Sequence, residues 1–486
     1  MHLDGGFDKI VSVRAISIHG HFYQPPREDP TNGLIPTEAG ASPFANWNER
    51  IHSECYLPNA QLGNFGKISY NIGPTLFSWM KSYDPATTRL IIDQDSANIQ
   101  QTGVGNAIAQ PYHHTILPLA TMQDKITQVE WGIAAFEQQF GRKPMGMWLP
   151  ETAVELETLN ILAEHGLEFT ILAPWQADST ELDITEPYRV ALPTGRSITI
   201  FFYHQGLSTG ISFNPELTLN ADQFVAASVL PSYLGEKQQR GEPQLLLIAS
   251  DGELYGHHQQ FRDRFLAHLI NGASSRVGID PTFPALWLKK YPIKRWINIR
   301  EDTSWSCMHG VERWKSGCAC TEGDGHWKGY LRQAFDRLAL DIDKIYITNM
   351  VEHDIDPWRL RNEFIHVVLG EQPIDELIYH FARRKLESSA VAIIRLLLLA
   401  QWERQRMFTS CGWYFDDFSR IEPRNNLAYA AHAVRLTYMA TQVDLSGQIL
   451  DDLKFVHSQK TNLRGDQVLL KEIQKPLPMH LFDEIQ

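Results

Sequence analysis

The 486-residue sequence predicts an α/β fold, a parallel (β/α) barrel followed by an α-helical domain, on three observations. Short apolar runs end repeatedly in polar clusters, as buried parallel strands do when they deliver functional groups past their carboxyl ends. The intervals between these runs leave room for a helix in each connection, which β-loop-α repetition requires. After Trp305 the strand pattern stops and helical periodicity takes over.

Taken in order, residues 15–18 run into His19, Gly20 and His21, and residues 90–92 into Asp93, Gln94 and Asp95. Residues 145–149 lead into Pro150 and Glu151, and a helical pattern of Val154, Leu156, Leu159, Ile161 and Leu162 then stops at Gly166. Residues 169–172 end at Ala173, Pro174 and Trp175, and residues 198–202 at Tyr203, His204 and Gln205. The run LLLI at 245–248 breaks into Asp251, Gly252, Glu253, Gly256, His257 and His258, and residues 296–299 end at Arg300, Glu301, Asp302 and Trp305. A parallel barrel gathers all these ends at one mouth. Strand counting alone leaves seven and eight strands equally open. The division expected is a barrel over 1–305, a Cys/Gly-rich junction loop over 306–326 and a helical domain over 327–486 packed on the barrel. The clearest helices are expected within 387–408 and 425–442. The chain ends in FDEIQ without an obvious stop, which leaves a longer parent protein open.

Composition narrows the function. Forty-three per cent hydrophobic and 11% aromatic residues support a large core and exclude wholesale disorder. A formal net charge of −13 opposes attraction to nucleic acid or an anionic membrane surface, so a neutral partner fits better. The amino terminus MHLDGGFDKIVSV has no basic segment followed by an apolar signal core, and no run approaches about 18 uninterrupted apolar residues. A soluble cytoplasmic protein is expected. Five cysteines in so long a chain favour free thiols or a metal site over a disulfide framework.

Glu151 and Asp251 place one carboxylate on each of two strand ends, an arrangement suited to acid/base chemistry. Their segments, WLPE at 148–151 and SDGELYGHH at 250–258, resemble those of glycoside hydrolase family 57. HGHFYQPP at 19–26, ECYLPN at 54–59, ISYNIGPTL at 68–76 and QPYHHTILPL at 110–119 add matches in the same order, over roughly residues 15–305. In one respect the sequence departs from the family: Phe22 and Tyr23 separate His21 from Gln24 and Pro25, which puts His21 in question more than His19. The resemblance implies an incomplete seven-stranded barrel and a retaining glycoside hydrolase or transglycosylase acting on an oligo- or polysaccharide with α-linked glucose. It also implies Glu151 as nucleophile, Asp251 as general acid/base and no cofactor. Two carboxyl groups can divide the work of attacking the anomeric carbon and protonating the leaving oxygen.

Substrate contacts are expected from several residue types near the mouth. His19, His114 and His257 have ring nitrogens that can bond sugar hydroxyls, while His204 and His258 read better as structural. Trp148, Tyr203 and Trp305 offer aromatic faces for the C–H side of a pyranose. Glu253 can bond sugar or its own loop. In the resembling family the helical region reaches back over the barrel mouth, and CGWYFDD at 411–417 is the segment expected to do so, through Trp413 and Asp416. Cys307, His309, Cys318 and Cys320 could hold zinc tetrahedrally, although reduced buried thiols need no metal. Such a site would be structural, since four protein ligands leave no position for substrate. Two other readings stay open. One is a metal-dependent barrel enzyme of the α-mannosidase or polysaccharide deacetylase kind, with His19, His21, Asp93 and Asp95 as ligands. The other is a noncatalytic glycan-binding relative.

Overall fold

The computed structural model describes residues 13–476, so the readings made on the first twelve residues and on the final FDEIQ lie outside the described residues. Seven strands form among the described residues: β1 (Arg14–Phe22), β2 (Ser69–Ile72), β3 (Phe169–Leu172), β4 (Tyr188–Ala191), β5 (Ser197–Phe202), β6 (Gln244–Asp251) and β7 (Asp280–Pro281). β1 is central. It pairs in parallel with β2 from His19↔Ser69 to Phe22↔Ile72, and with β6 from Arg14↔Gln244 to His21↔Asp251. β7 occupies the same edge of β1 below the point where β2 begins, at Ala15↔Asp280. β3 and β5 are parallel, and β4 lies antiparallel against β5.

Two irregular staves join these sheets. Ile108 N donates to Tyr70 O at 2.8 Å, Trp148 N to Ala109 O at 2.8 Å and Met147 N to Phe169 O at 3.2 Å, so residues 106–109 and 145–148 carry the barrel from β2 to β3. At the other seam His204 N reaches Leu247 O at 2.7 Å, while nearer the base Leu245 N bonds Thr185 O on the approach to β4. The ring therefore runs β1, β2, 106–109, 145–148, β3, β5, β6. This is the incomplete seven-stranded parallel barrel, and it is followed by a helical region.

Two expected strands are absent from it. Residues 90–92 lie inside the helix Pro85–Thr102, which Asp84 caps by accepting from Ala86 N and Thr87 N and which ends at left-handed Gly103. Thr87, Ile91 and Asp95 are buried at intervals of four while Leu90 is exposed, so the burial there follows a helical face and not a strand. Residues 296–299 make only isolated bridges, Trp296 to Arg189 and Ile299 to Ala177, and Trp296 stands exposed. That segment crosses outside β4.

The helices Trp327–Val351, Pro357–Val368, Ser388–Arg406 and Ile421–Thr441 dominate the carboxyl-terminal part. They dock on the barrel through a buried charged network. Arg404 bonds Asp343 at 2.6 Å and Asp124 at 2.7 Å, and Arg361 reaches Asp124 at 3.1 Å. Asp124 belongs to the barrel helix Met122–Phe140, so the network fixes its orientation against the helical part. Buried ion pairs add little net stability but are costly to break, which makes them effective at setting register. Tyr429 Oη donates to Pro26 O at 3.1 Å, tying the helix Ile421–Thr441 to the loop after β1. Among the described residues no helix is long and apolar enough to cross a membrane.

Candidate active site

Glu151 follows the stave 145–148 in an unusual backbone. Its φ is 57° and ψ 20°, and Thr152 after it has φ 48°. Left-handed conformations cost a non-glycine residue about 1–3 kcal/mol each and persist only where the surroundings over-determine them. Here they do. Thr152 Oγ1 donates to Gln176 Oε1 at 2.9 Å, Gln176 Nε2 donates to Thr152 O at 2.8 Å, and Trp305 N bonds Glu151 O at 3.0 Å. The Glu151 side chain is thereby aimed by the turn and is not placed as a first-turn helix acid. Its Oε2 accepts from Trp305 Nε1 at 3.0 Å and Ser306 Oγ at 2.6 Å. Burial raises the Glu151 pKa, and the Ser306 and Trp305 bonds and the Arg313 charge offset part of that rise.

Asp251 ends β6 in register with His21. Asp251 keeps exposed surface although protein atoms crowd around it. Burial and the Glu151 charge push its pKa up to about 7. The two carboxylates, 100 positions apart in sequence, thus act on each other electrostatically. One is held among donors that favour its ionised form. The other has no such donors and keeps its proton more readily.

Glu253 has a different task from the one expected. It is buried, and its Oε1 accepts from Tyr56 Oη at 2.7 Å and Tyr23 N at 3.0 Å. Burial pushes its pKa to about 8, with Asp251 adding to the rise against the Tyr56 bond. Since protein donors already engage it, Glu253 anchors the strand-end residue Tyr23 and does not reach for sugar.

The histidines are likewise turned inward. His19 is fully buried, with Nδ1 2.9 Å from Ser69 Oγ and Nε2 3.1 Å from Asn71 Oδ1. His114 is buried between Ser410 Oγ at 2.6 Å and His21 Nε2 at 3.2 Å. Burial and neighbouring histidine lower the His19 pKa to about 3, and burial lowers that of His21 to about 4, so both rings are neutral. Trp148 is also fully buried, stacked 4.7 Å from His19 and 5.1 Å from His21. It is the floor beneath the site and offers no free face. His257 bonds Glu54 Oε2 at 2.5 Å and holds the segment 52–56. His19, His114 and Trp148, expected as sugar contacts, are thus buried behind the mouth, whereas His257 is half-buried and engaged through Nδ1 alone.

The aromatic wall that solvent can reach is built by Trp305, Trp175 and Tyr23, with buried Tyr203 behind them. Trp305 packs edge-on to Trp148 at 5.0 Å and to Tyr203 at 6.3 Å, and Tyr23 lies face to face with His114 at 3.8 Å. From the segment 411–417 the residues expected at the mouth are not those found there. Trp413 is fully buried in the helical core and donates to Lys328 O at 3.2 Å, while Asp416 pairs with Lys460 at 2.5 Å. Tyr414 and Cys411 point the other way. Burial and the Glu151 charge push the Tyr414 pKa to about 12, with Asp251 adding to the rise. Arg313 lies 4.6 Å over the Tyr414 ring and bonds Ser306 O at 2.7 Å. Tyr23, Ser306, Arg313 and Tyr414 were missed from sequence; for Ser306 the one available signal was its place next to Trp305.

The metal set His19, His21, Asp93 and Asp95 does not assemble. Asp95 is buried against Arg142 at 2.8 Å and caps Asn106 N, and Asp93 shares its helix. A cleft of ≈ 680 Å³ lies between the loop after β1 and the helices, lined by Glu28, Trp79, Tyr112, Trp402 and Arg406. Neither carboxylate lines it.

Fold and site together define a class: a seven-stave β/α barrel with paired carboxyl groups at its carboxyl-end mouth, overlaid by a helical region. The model of glycosyl hydrolase family 57 matches residues 28–278, just over half the chain, and the chain belongs to that family. Residues 324–478 match a separate domain of unknown function, DUF3536. Alpha-amylase 1 of Dictyoglomus thermophilum is 25% identical over 148 residues, covering 30% of this chain and 20% of that protein. An alpha-amylase of Pyrococcus horikoshii is 22% identical over 233 residues, covering 46% of this chain and 34% of its own. The chain thus spans about a fifth to a third of the length of these curated relatives. Among solved structures, an exo-type maltose-forming amylase from Pyrococcus sp. ST04 aligns with TM-score 0.71 at 16% identity, over 96% of this chain and 89% of the other. A branching enzyme of this family from Pyrococcus horikoshii aligns with TM-score 0.61 at 15% identity, over 96% and 98%.

Proposed function

We propose that the protein is a retaining glycoside hydrolase or transglycosylase acting on α-linked glucans, with Glu151 as nucleophile and Asp251 as general acid/base. The observation that carries this reading is the electrostatic split between the two groups: Glu151 sits among Trp305 Nε1, Ser306 Oγ and the Arg313 charge, while Asp251 is pushed up to about 7 by burial and by Glu151 itself. An ionised nucleophile beside a protonated acid is what the first step needs. Glu151 Oε bonds to the anomeric carbon, the glycosidic C–O electrons go to the leaving oxygen, and that oxygen takes the Asp251 proton. In the second step water or a sugar hydroxyl attacks the same carbon, Asp251 takes its proton, and the Glu151–sugar bond breaks. The aromatic wall of Trp305, Trp175 and Tyr23 supplies faces for the sugar rings.

The test is a panel of malto-oligosaccharides, amylose and β-glucans, with released and transferred products resolved by chromatography for wild type and Glu151→Gln. Turnover confined to α-linked glucans and lost in the variant is expected. Turnover of β-glucans instead, or activity surviving in Glu151→Gln, would overturn the assignment. A second expectation concerns pH. Asp251 must carry a proton, so kcat/KM falls as pH rises through about 7. Glu151 must be ionised, so kcat/KM also falls as pH drops through its raised pKa. Ser306→Ala removes a bond that lowers the Glu151 pKa, and its acid limb should move to higher pH while the alkaline limb stays. An unmoved acid limb would mean that Glu151 is not the group titrating there.

A further inference from the structure

We propose that Cys307, His309, Cys318 and Cys320 form a tetrahedral zinc site that locks the loop holding Glu151. The four ligand atoms lie within 4.8 Å of one another. Cys307 Sγ is 3.5 Å from Cys318 Sγ and 3.7 Å from Cys320 Sγ, and His309 Nδ1 is 3.3 Å from Cys320 Sγ. A tetrahedral ion with Zn–S of about 2.3 Å and Zn–N of about 2.0–2.1 Å requires S···S edges of about 3.8 Å and S···N edges of about 3.6 Å. These three edges match within a few tenths of an ångström, and the widest separation in the set, within 4.8 Å, closes to a tetrahedral edge with a shift of about 1 Å. They are far from the ~2.05 Å of a disulfide, and three cysteines facing one histidine cannot all be paired as disulfides.

The loop is built to bring its ligands together. Gly310 has φ 76°, and a Cβ there would lie 2.2 Å from Asp302 O; Gly317 has φ 86°, and a Cβ there would lie 2.3 Å from Gly325 O. Two tight crossings that only glycine permits, Gly310 over Asp302 and Gly317 over Gly325, bound the segment that carries the ligands. Three thiolates and a neutral imidazole around Zn²⁺ carry a net charge of −1. Buried Arg313 and Lys328 both lie near enough for their charges to interact with these sulfurs, and they offset it. The ion takes its ligands in their deprotonated form, so affinity should fall in acid.

The position gives the clip its role. Trp305 and Ser306, which donate to Glu151 Oε2, immediately precede Cys307, and Arg313, which bonds Ser306 O, lies inside the loop that zinc would close. The donors therefore depend on the clip for their placement. Zinc itself stays clear of substrate, since all four of its positions are taken by protein.

Metal analysis of the purified full chain should give one zinc per molecule. Stripped protein titrated with cobalt(II) should develop the red d–d absorption of a tetrahedral ion and thiolate-to-cobalt charge transfer in the near ultraviolet. Cys318→Ser/Cys320→Ser should lose both. His309→Ala, at an exposed position that leaves packing intact, should yield its metal to a chelator that wild type resists. Removing zinc from wild type should lower Tm. A metal-free purified protein whose cobalt spectrum stays octahedral, or a native Cys307–Cys318 disulfide found by mass spectrometry, would overturn the site. Zinc removal with Tm unchanged would overturn its locking role. These readouts use metal and melting alone, so failure of the glycosidase reading leaves them decisive.

Discussion

Glu151→Ala is expected to lower kcat/KM on the order of 10⁴-fold or more, since loss of a covalent nucleophile removes the intermediate altogether. The variant also opens space beside the anomeric carbon. A small anion such as azide should then restore turnover of an activated α-glycoside by direct displacement, with Asp251 still in place, and the product should be a glycosyl azide of inverted configuration. Because Trp305 Nε1 and Ser306 Oγ already point at the vacated carboxylate position, they are placed to bind the incoming anion. Proton NMR of the azide product decides the matter. A retained product would mean that some other group still forms the intermediate.

Asp251→Ala is expected to cost about 10²–10⁴-fold on substrates whose leaving oxygen needs a proton. The loss should be much smaller on an aryl or fluoride leaving group, because Glu151 still attacks. Azide in this variant resolves the glycosyl-enzyme and should give the retained product. The alkaline limb near pH 7 should also vanish, since the group pushed up to about 7 is gone. Equal losses on good and poor leaving groups would assign Asp251 to binding, and reversed anomeric outcomes between the two variants would exchange the roles.

The features legible in the sequence were those that local pattern dictates. The run LLLI before Asp251 reads as a buried strand because it is short and breaks at once into Asp251 and Gly252, and β6 ends there. Residues 169–172 and 198–202 were read from the same signal and lie in β3 and β5. Residues 90–92 misled because three apolar residues before an acid look alike in a strand end and in a helix interior; the Asp84-Pro85 start and Gly103 stop were the signs that decide for helix. β2, SYNI, was quoted as a motif but not read as a strand, since Ser69 and Asn71 are polar; they point at His19 and His21 and not at the core. The candidate site was legible in its carboxylates and much less so in its surroundings. Which of Trp413 and Tyr414 faces the mouth depends on the rotation of the four-residue helix Cys411–Tyr414, and that is set by packing of Trp413 against the helix Trp327–Val351. No local pattern encodes it. His19, His114 and Trp148 were found as neighbours of the chemistry, but a polar side chain beside a strand end can turn inward as readily as outward, and here the Asn71 and Ser410 bonds turn the histidines in.

The pairing of β1 with β6 has a consequence for how the chain is made. Arg14 leaves the ribosome ahead of its partner Gln244, which follows about 230 residues later. At about 5–20 residues per second that interval is roughly 10–50 s, during which the central strand of the barrel has β2 on one edge and nothing on the other. An apolar strand with a bare edge is a template for pairing with another chain. Slowing translation between residues 72 and 244, or withholding chaperones, should therefore cost yield of native protein more than the same change applied after residue 251.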